Sequence, residues 1–223
     1  MVHMDAMEHE RETLAATARK LAADGLVIGT SGNLSVRAGE QIAVSPTGAV
    51  LAELEAADVA VVDLDGSQVA GRLAPTSELG LHLKIYARYG SGAVVHTHAP
   101  VATALGLVLD ELPCVHYEML GLGGAVRVAP YATFGSSDLA EGVLAALENR
   151  SAALMANHGA VSHGSDLDGA ARATQLLEWA CTLYWRAATI GTPRALDPDQ
   201  LGAVADTIAD LGYGAPKAAE RER

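Results

Sequence analysis

Two short apolar runs that each lead into histidine constrain this chain more than any other feature. Ala93-Val94-Val95 runs into His96-Thr97-His98, and Ala152-Ala153-Leu154-Met155 runs through Ala156-Asn157 to His158. In an extended strand, side chains two apart share a face. His96 and His98 can therefore present two imidazoles to one point, and a neighbouring strand can add His158, with the permissive Gly159 beside it. Three neutral ring nitrogens with an open fourth position suit a catalytic zinc ion or a similar divalent metal. Glu78, at the start of a helix predicted after Pro75-Thr76-Ser77, is the candidate for the remaining position or for a general base beside the metal. The plainer reading of His96 and His98 alone is a hydrogen-bonded pair at a sheet edge. Adding His158 and Glu78 favours the ion.

Composition narrows the setting. Half of the 223 residues are hydrophobic, but there are only one Phe, two Trp and six Tyr, so the core must be built from Ala, Val and Leu. That suits helices packed on a sheet, and the length suits one domain over 1–223. A net charge of −12 argues against a nucleic-acid or anionic-membrane surface. It leaves room for a small anionic substrate held locally by backbone N–H groups and a metal. Cys114 and Cys181 lie outside any CxxC motif, which reads as an intracellular, cytoplasmic protein. Met1 to Arg11 is charged and lacks an apolar leader core, and the apolar runs fall short of a membrane span.

Periodicity and turn residues predict helices over Met7–Asp24, from an N-cap at Thr76 or Ser77 to about Tyr89, over Ala99–Val108, Ser136–Leu147, Asp166–Thr189 and Pro198–Leu211. Strands are expected at Leu34–Val36, Gln41–Val44, Val59–Leu64, Ser67–Ala70, Ala93–Thr97, Ala125–Val128, Ala152–Ala156 and Ala160–Ser162. Hairpins early and alternating elements later indicate an α/β layered domain, a mixed β-sheet covered by helices on both faces. The polar tail, 214–223, is expected to be flexible.

Three small-residue turns carry groups able to bind an anion: Gly32-Asn33, Thr47-Gly48 and Thr76-Ser77, the last at a helix start where N–H donors and the dipole favour negative charge. Ordinary capping and turn roles are the simpler reading of each alone. His82, His116 and His163 are expected to be solvated or satisfied in the core; His82, one turn beyond Glu78, could support it. Tyr117 and Tyr213 are candidate proton donors, and Phe134 is either core or pocket.

Together the motifs Ser31-Gly32-Asn33-Leu34-Ser35, Ser45-Pro46-Thr47-Gly48, Pro75-Thr76-Ser77-Glu78, His96-Thr97-His98 and Asn157-His158-Gly159 resemble, in order, those of class II sugar-phosphate aldolases. The chain is similar to the L-fuculose-1-phosphate aldolase branch of the aldolase/epimerase superfamily from about Leu14 to Tyr213, and Ala129 to Gly135 resembles a further segment of that branch. The resemblance implies zinc on His96, His98 and His158, with Mn2+ or Co2+ as other ions such ligands accept. Glu78 would be a fourth ligand at rest and the acid/base once substrate displaces it. Gly32, Asn33, Thr47, Gly48, Thr76 and Ser77 would hold phosphate. Tyr117 would exchange a proton with the aldehyde oxygen, and Phe134 and Tyr213 would shape the aldehyde pocket, Tyr213 reaching in from a neighbouring subunit of a homotetramer. The implied reaction reversibly cleaves a ketose 1-phosphate, L-fuculose 1-phosphate or a related deoxy-pentulose or hexulose phosphate, through a zinc-stabilised enediolate, to dihydroxyacetone phosphate and a small aldehyde such as lactaldehyde.

Thr76-Ser77 stands where the aldolase branch often has Ser-Ser, a change that keeps the hydroxyl. Glu78 departs from the aspartate of pentulose-phosphate 4-epimerases, whereas methylthioribulose-1-phosphate dehydratases share the glutamate and remain an alternative. A zinc hydrolase would leave the three anion-capable turns unexplained, and a non-enzymatic domain of the adducin-head type would not need the ligand set.

Overall fold

A computed structural model of the protein describes residues 7–211. Nine strands form one sheet: β1 (Asn33–Ala38), β2 (Gln41–Val44), β3 (Ala60–Asp63), β4 (Gln68–Ala70), β5 (Ala93–Thr97), β6 (Glu111–Leu112), β7 (Val126–Ala129), β8 (Ala152–Met155) and β9 (Gly159–Gly164). Their spatial order is β4-β3-β2-β1-β5-β9-β8-β7-β6, and β7–β8 is the parallel pair in an otherwise antiparallel ladder. The helices are α1 (Glu8–Ala23), α2 (Leu79–Tyr89), α3 (Pro100–Leu105), α4 (Ser137–Ala146), α5 (Leu167–Ile190) and α6 (Pro198–Leu211).

Both faces of the central strands are buried, so they read as continuous apolar runs, yet the two-residue period still sorts side chains between two cores. Leu34, Ala43, Ala93, Val95, Leu154 and Ala160 pack with Leu14, Leu21, Ala102, Leu177 and Ala180, which belong to α1, α3 and α5. Ile42, Val44, Val94, Ala153, Met155 and Val161 pack with Leu81, Ile85, Leu139 and Val143 of α2 and α4. The mixed α/β architecture with helices on both faces is the one the sequence predicts.

Local differences have local causes. Helix α2 begins at Leu79, so its N-cap is Glu78 and not Thr76 or Ser77. The preceding segment is held extended beside the exit of β2: Pro75 bridges Pro46, the Thr76 N–H donates to the Ser45 carbonyl (3.1 Å), and the Thr47 N–H donates to the Ala74 carbonyl (3.0 Å). Helix α3 stops at Leu105 with Gly106 as its C-cap. Strand β6 escapes sequence reading because two residues carry no period. The 3-10 turn Tyr117–Leu122 was not expected either; the His116 ring caps it by accepting from the Glu118 N–H (3.2 Å). Helix α6 matches its predicted range and buries none of its residues. Tyr213 and the tail 214–223 lie outside the described residues. Among the described residues no helix is long and apolar enough to cross a membrane.

Leu154 is fully buried mid-sheet, so Leu154→Ala is expected to lower the unfolding free energy by about 2–5 kcal/mol. Asp166 caps α5 through the Gly169 N–H (2.7 Å), so Asp166→Ala is expected to cost about 1 kcal/mol. Urea titration followed by circular dichroism measures both, and equal losses would contradict this division between core and cap.

Candidate active site

The β5–β9 pairing builds the centre. His96 faces Val161 and Thr97 faces Ala160 across the ladder, so the two strands reach the same end of the sheet, where His98 leaves β5 and His158 immediately precedes β9. Asn157 takes a left-handed conformation (φ 55°) in the β8–β9 connection, which asparagine tolerates. The two strands thereby carry the three rings into mutual edge-on contact, with centroids 4.9–5.1 Å apart. The ring nitrogens offered by His96, His98 and His158 all lie within 4.8 Å of one another.

Second contacts orient these groups. His96 Nδ1 lies 2.9 Å from the Ala160 carbonyl. A carbonyl only accepts, so Nδ1 carries the hydrogen and Nε2 offers its lone pair. The residues after His98 are anchored from α5: Glu178 accepts from the N–H groups of Val101 (2.9 Å) and Ala102 (2.7 Å) at the first turn of α3.

Glu78 enters from α2 on the face of the sheet that carries His96. Its Oε2 accepts from Asn33 Nδ2 (3.0 Å) and lies 3.2 Å from His96 Nε2; its Oε1 lies 3.6 Å from His158 Nε2. That Oε1 atom is buried with no hydrogen-bond partner, a state that normally costs free energy. Tetrahedral ligation at 2.0–2.1 Å places ligand atoms about 3.4 Å apart. The His96–His98 Nε2 separation of 3.1 Å and the two Glu78 approaches of 3.2 and 3.6 Å straddle that value. The donor set thus fits a divalent cation held by His96, His98, His158 and Glu78. Such ions accept imidazole and carboxylate together.

Electrostatics agree with ligation. Burial alone would raise the Glu78 carboxyl, but its contacts with His96, the Asn33 amide and His158 outweigh that and hold the group well below the usual carboxylate range. Burial, reinforced by His96 and His158 and opposed by Glu78, pushes His98 down to about 4. Burial and His96 also lower His158, again against Glu78. An ionised Glu78 beside His98 and His158 rings that burial disposes to be neutral suits a metal, which binds the deprotonated ligands.

A cleft of about 480 Å³ opens onto this centre. All six residues that the resemblance assigns to phosphate (Gly32, Asn33, Thr47, Gly48, Thr76 and Ser77) line it, together with Glu78, His98, His158 and Phe134. The three turns meet because β1, β2 and the Pro75–Ser77 segment are tied together: Ser45 Oγ accepts from the Leu34 N–H (3.0 Å), and Ser45 N–H donates to the Leu34 carbonyl (2.9 Å). Gly32 is required by close approach, since a Cβ there would lie 2.9 Å from the His96 carbonyl at a φ of +98°. The Asn33 side chain is more committed than the sequence suggests. Its Oδ1 accepts from His82, and one Nδ2 hydrogen goes to Glu78.

Phe134 is not a core residue: it stands 66% exposed at the cleft. Beside it is Tyr131, 67% exposed and not picked out individually from the sequence, although it lies in the Ala129–Gly135 segment. Tyr117 is absent from the cleft within one chain. It sits against Ala203, Val204, Thr207, Ile208 and Leu211 of α6 at a separate recess. Its neighbour His116 meets Trp179 of α5, on the other face of the sheet from α2. His82 and His163 are satisfied in the fold, as expected.

Gly159 is the tightest point of the cluster. A Cβ there would lie 2.4 Å from the Thr97 carbonyl and 3.3 Å from His96 Cε1. Gly159→Ala is expected to weaken divalent-metal affinity about 10-fold or more, whereas Gly80→Ala on α2, with nothing within 4 Å of the added methyl, leaves it intact. Cobalt titration of both variants reads the difference; wild-type affinity in Gly159→Ala would count against this cluster as the metal site.

Comparison with known proteins agrees with the geometry. The family described as Class II Aldolase and Adducin N-terminal domain matches residues 12–185. The chain is 36% identical over 211 residues to a 5-deoxy-D-ribulose 1-phosphate aldolase of Bacillus thuringiensis, covering 93% of this chain and 98% of that relative. It is 38% identical over 207 residues to a 5-methylthioribulose-1-phosphate/5-deoxyribulose-1-phosphate aldolase of Rhodospirillum rubrum, covering 92% of this chain and 93% of that one. A solved L-fuculose 1-phosphate aldolase superposes with a TM-score of 0.87 at 32% identity, covering 94% of this chain and all of that one. The chain belongs to the class II aldolase and adducin N-terminal domain family.

Proposed function

We propose that this protein is a metal-dependent aldolase, with zinc as the expected ion, that reversibly cleaves a ketose 1-phosphate of the 5-deoxyribulose type to dihydroxyacetone phosphate and a small aldehyde. One observation carries the reading: a single cleft joins the imidazole–carboxylate cluster to all three anion-capable turns. A zinc hydrolase would need the first and leave the second without a purpose. The relatives named for 5-deoxyribulose 1-phosphate cover nearly the whole chain and support that substrate type over L-fuculose 1-phosphate.

The residues divide the work. The phosphate lies among Gly32, Thr47, Gly48, Thr76, Ser77 and the remaining Asn33 amide hydrogen, near the N-terminal end of α2, where its dipole favours an anion. His96, His98, His158 and Glu78 hold the metal, which when bound supplies a Lewis acid for charge developing on the ketose oxygens. Cleavage removes the proton of the C4 hydroxyl, breaks the C3–C4 bond and leaves C3 to be protonated. Glu78, once it has taken up a proton from water, delivers it to C3 through Oε1, the oxygen that faces His158 and lacks a hydrogen-bond partner. Among the described residues no lysine is placed for a Schiff base: Lys20 bonds Asp24 and Lys84 bonds Ser137, and neither lines the cleft.

Tyr131 and Phe134 offer an apolar mouth for the methyl end of the aldehyde. Tyr117, as the group exchanging a proton with the aldehyde oxygen, acts in the cleft of an adjoining copy, as does Tyr213, within the homotetramer implied by the family resemblance.

Metal-loaded enzyme is expected to release dihydroxyacetone phosphate and acetaldehyde from 5-deoxyribulose 1-phosphate, read by a coupled NADH assay, and to lose this activity on chelation. Glu78→Gln is expected to keep metal but lower kcat about 100-fold or more. Mass loss of water from the ketose, without triose formation, would instead identify a dehydratase.

A further inference from the structure

Behind Glu78 lies a buried polar chain that the reaction as derived above does not use. Tyr86 Oη lies 2.6 Å from Ser35 Oγ, Ser35 Oγ 2.7 Å from His82 Nδ1, and His82 Nε2 2.6 Å from Asn33 Oδ1. Asn33 Nδ2 then donates to Glu78 Oε2 at 3.0 Å. His82 is fully buried, Ser35 likewise, and Tyr86 and Asn33 nearly so. Two elements supply the chain: β1 places Asn33 and Ser35 on one face, and α2 places Glu78, His82 and Tyr86 four residues apart on one stripe.

Chemistry fixes the direction of every bond. A carboxylate only accepts, so Asn33 must turn its NH2 group to Glu78 and its carbonyl to His82. That carbonyl requires a hydrogen on His82 Nε2, which in the neutral ring leaves Nδ1 as an acceptor. Ser35 must then donate to Nδ1 and accept from Tyr86. Each donor points toward Glu78, and the opposite orientation of any member would leave two acceptors or two donors face to face. The amide of Asn33 interrupts the chain as a proton path, since its carbonyl and NH2 group do not exchange a proton as a hydroxyl does.

From this we infer that Tyr86, Ser35 and His82 are positioning residues. They lock the Asn33 amide so that it grips Glu78 by Oε2 and leaves Oε1 as the oxygen that exchanges protons with substrate. The inference rests on the proposed role of Glu78, but the orientation of the chain can be read without activity. Nitrogen-15 NMR of the histidine rings in the intact protein is expected to show His82 as the neutral tautomer with hydrogen on Nε2. Hydrogen on Nδ1 would overturn the inference.

Tyr86→Phe removes the terminal hydroxyl alone, His82→Leu removes the central donor, and His82→Gln retains a donor and an acceptor on a similar span. In metal-saturated enzyme, His82→Leu is expected to lower kcat about 10- to 100-fold with KM changed less than about 3-fold. Tyr86→Phe shifts kcat in the same direction by less, and His82→Gln recovers most of the loss. A loss in KM instead of kcat, or His82→Gln as impaired as His82→Leu, would overturn the positioning role. If His82→Leu does not fold, the NMR tautomer and the kcat of Tyr86→Phe decide the matter. An inactive wild type with the expected His82 tautomer would refute the aldolase reading while leaving the orientation of the chain in place.

Discussion

The register between β5 and β9 is the constraint on which the active site depends. With His96 opposite Val161, both side chains turn toward α2 and α4, and Ala160 presents its carbonyl to His96 Nδ1. A slip of one residue would turn His96 into the core shared by α1, α3 and α5 and bring Thr97 to the metal side. The register is held because both faces are buried. Val94 and Val161 belong to one core, and Ala93, Val95 and Ala160 to the other, and a slip would bury the His96 ring among aliphatic side chains and take it from the Ala160 carbonyl. The geometry of three imidazoles is thus secured by aliphatic side chains that never approach the reaction.

The layer beneath α2 holds more than half of the buried polar side chains among the described residues. Asn33, Ser35, Ser45, Thr76, Glu78, His82 and His96 are all buried, and all lie close to the joint between β1, the exit of β2 and the start of α2. Burying so many polar groups costs stability unless each is paired. Their pairing is nearly complete, and Glu78 Oε1 is the exception among them. Because Glu78 follows the α2 entry held by Pro75 and Thr76, the carboxylate is carried at a helix N-cap, where it aims out of the layer and into the cleft.

Sequence reading succeeded where one residue type carries a distinct chemistry or a period spans several turns. The clustering of the three histidines beside Glu78, the long helix α5 and the presence of most strands were legible in this way. It fell short where position depends on partners remote in sequence. The N-terminus of α2 is delayed by contacts with the Ser45–Thr47 turn, which helix propensity does not register. Phe134 and Tyr131, which composition alone would send to the core, stand at the cleft because their segment lies on the surface before α4. The His82 network was invisible because the spacing on α2 places His82 near Glu78, while nothing in the sequence shows Asn33 and Ser35 arriving from β1 to complete it.

The same geometry bears on how so acidic a chain handles a phosphorylated substrate. With a net charge of −12 it gives a dianion no long-range attraction, and no Lys or Arg lines the cleft among the described residues. On the function proposed above, recognition would be short-ranged, through hydroxyls, amides and N–H groups that act only once the phosphate is seated, and through the cation the histidines would hold. Fixed dipoles of this kind need no reorganisation as charge moves along the substrate. They would also tie phosphate binding to the metal, because among the described residues no cationic side chain lines the cleft to offset a carboxylate and a dianion together. The rigid β5–β9 frame and the committed Asn33 amide therefore serve the same end, holding partial charges in place where mobile cationic side chains are missing.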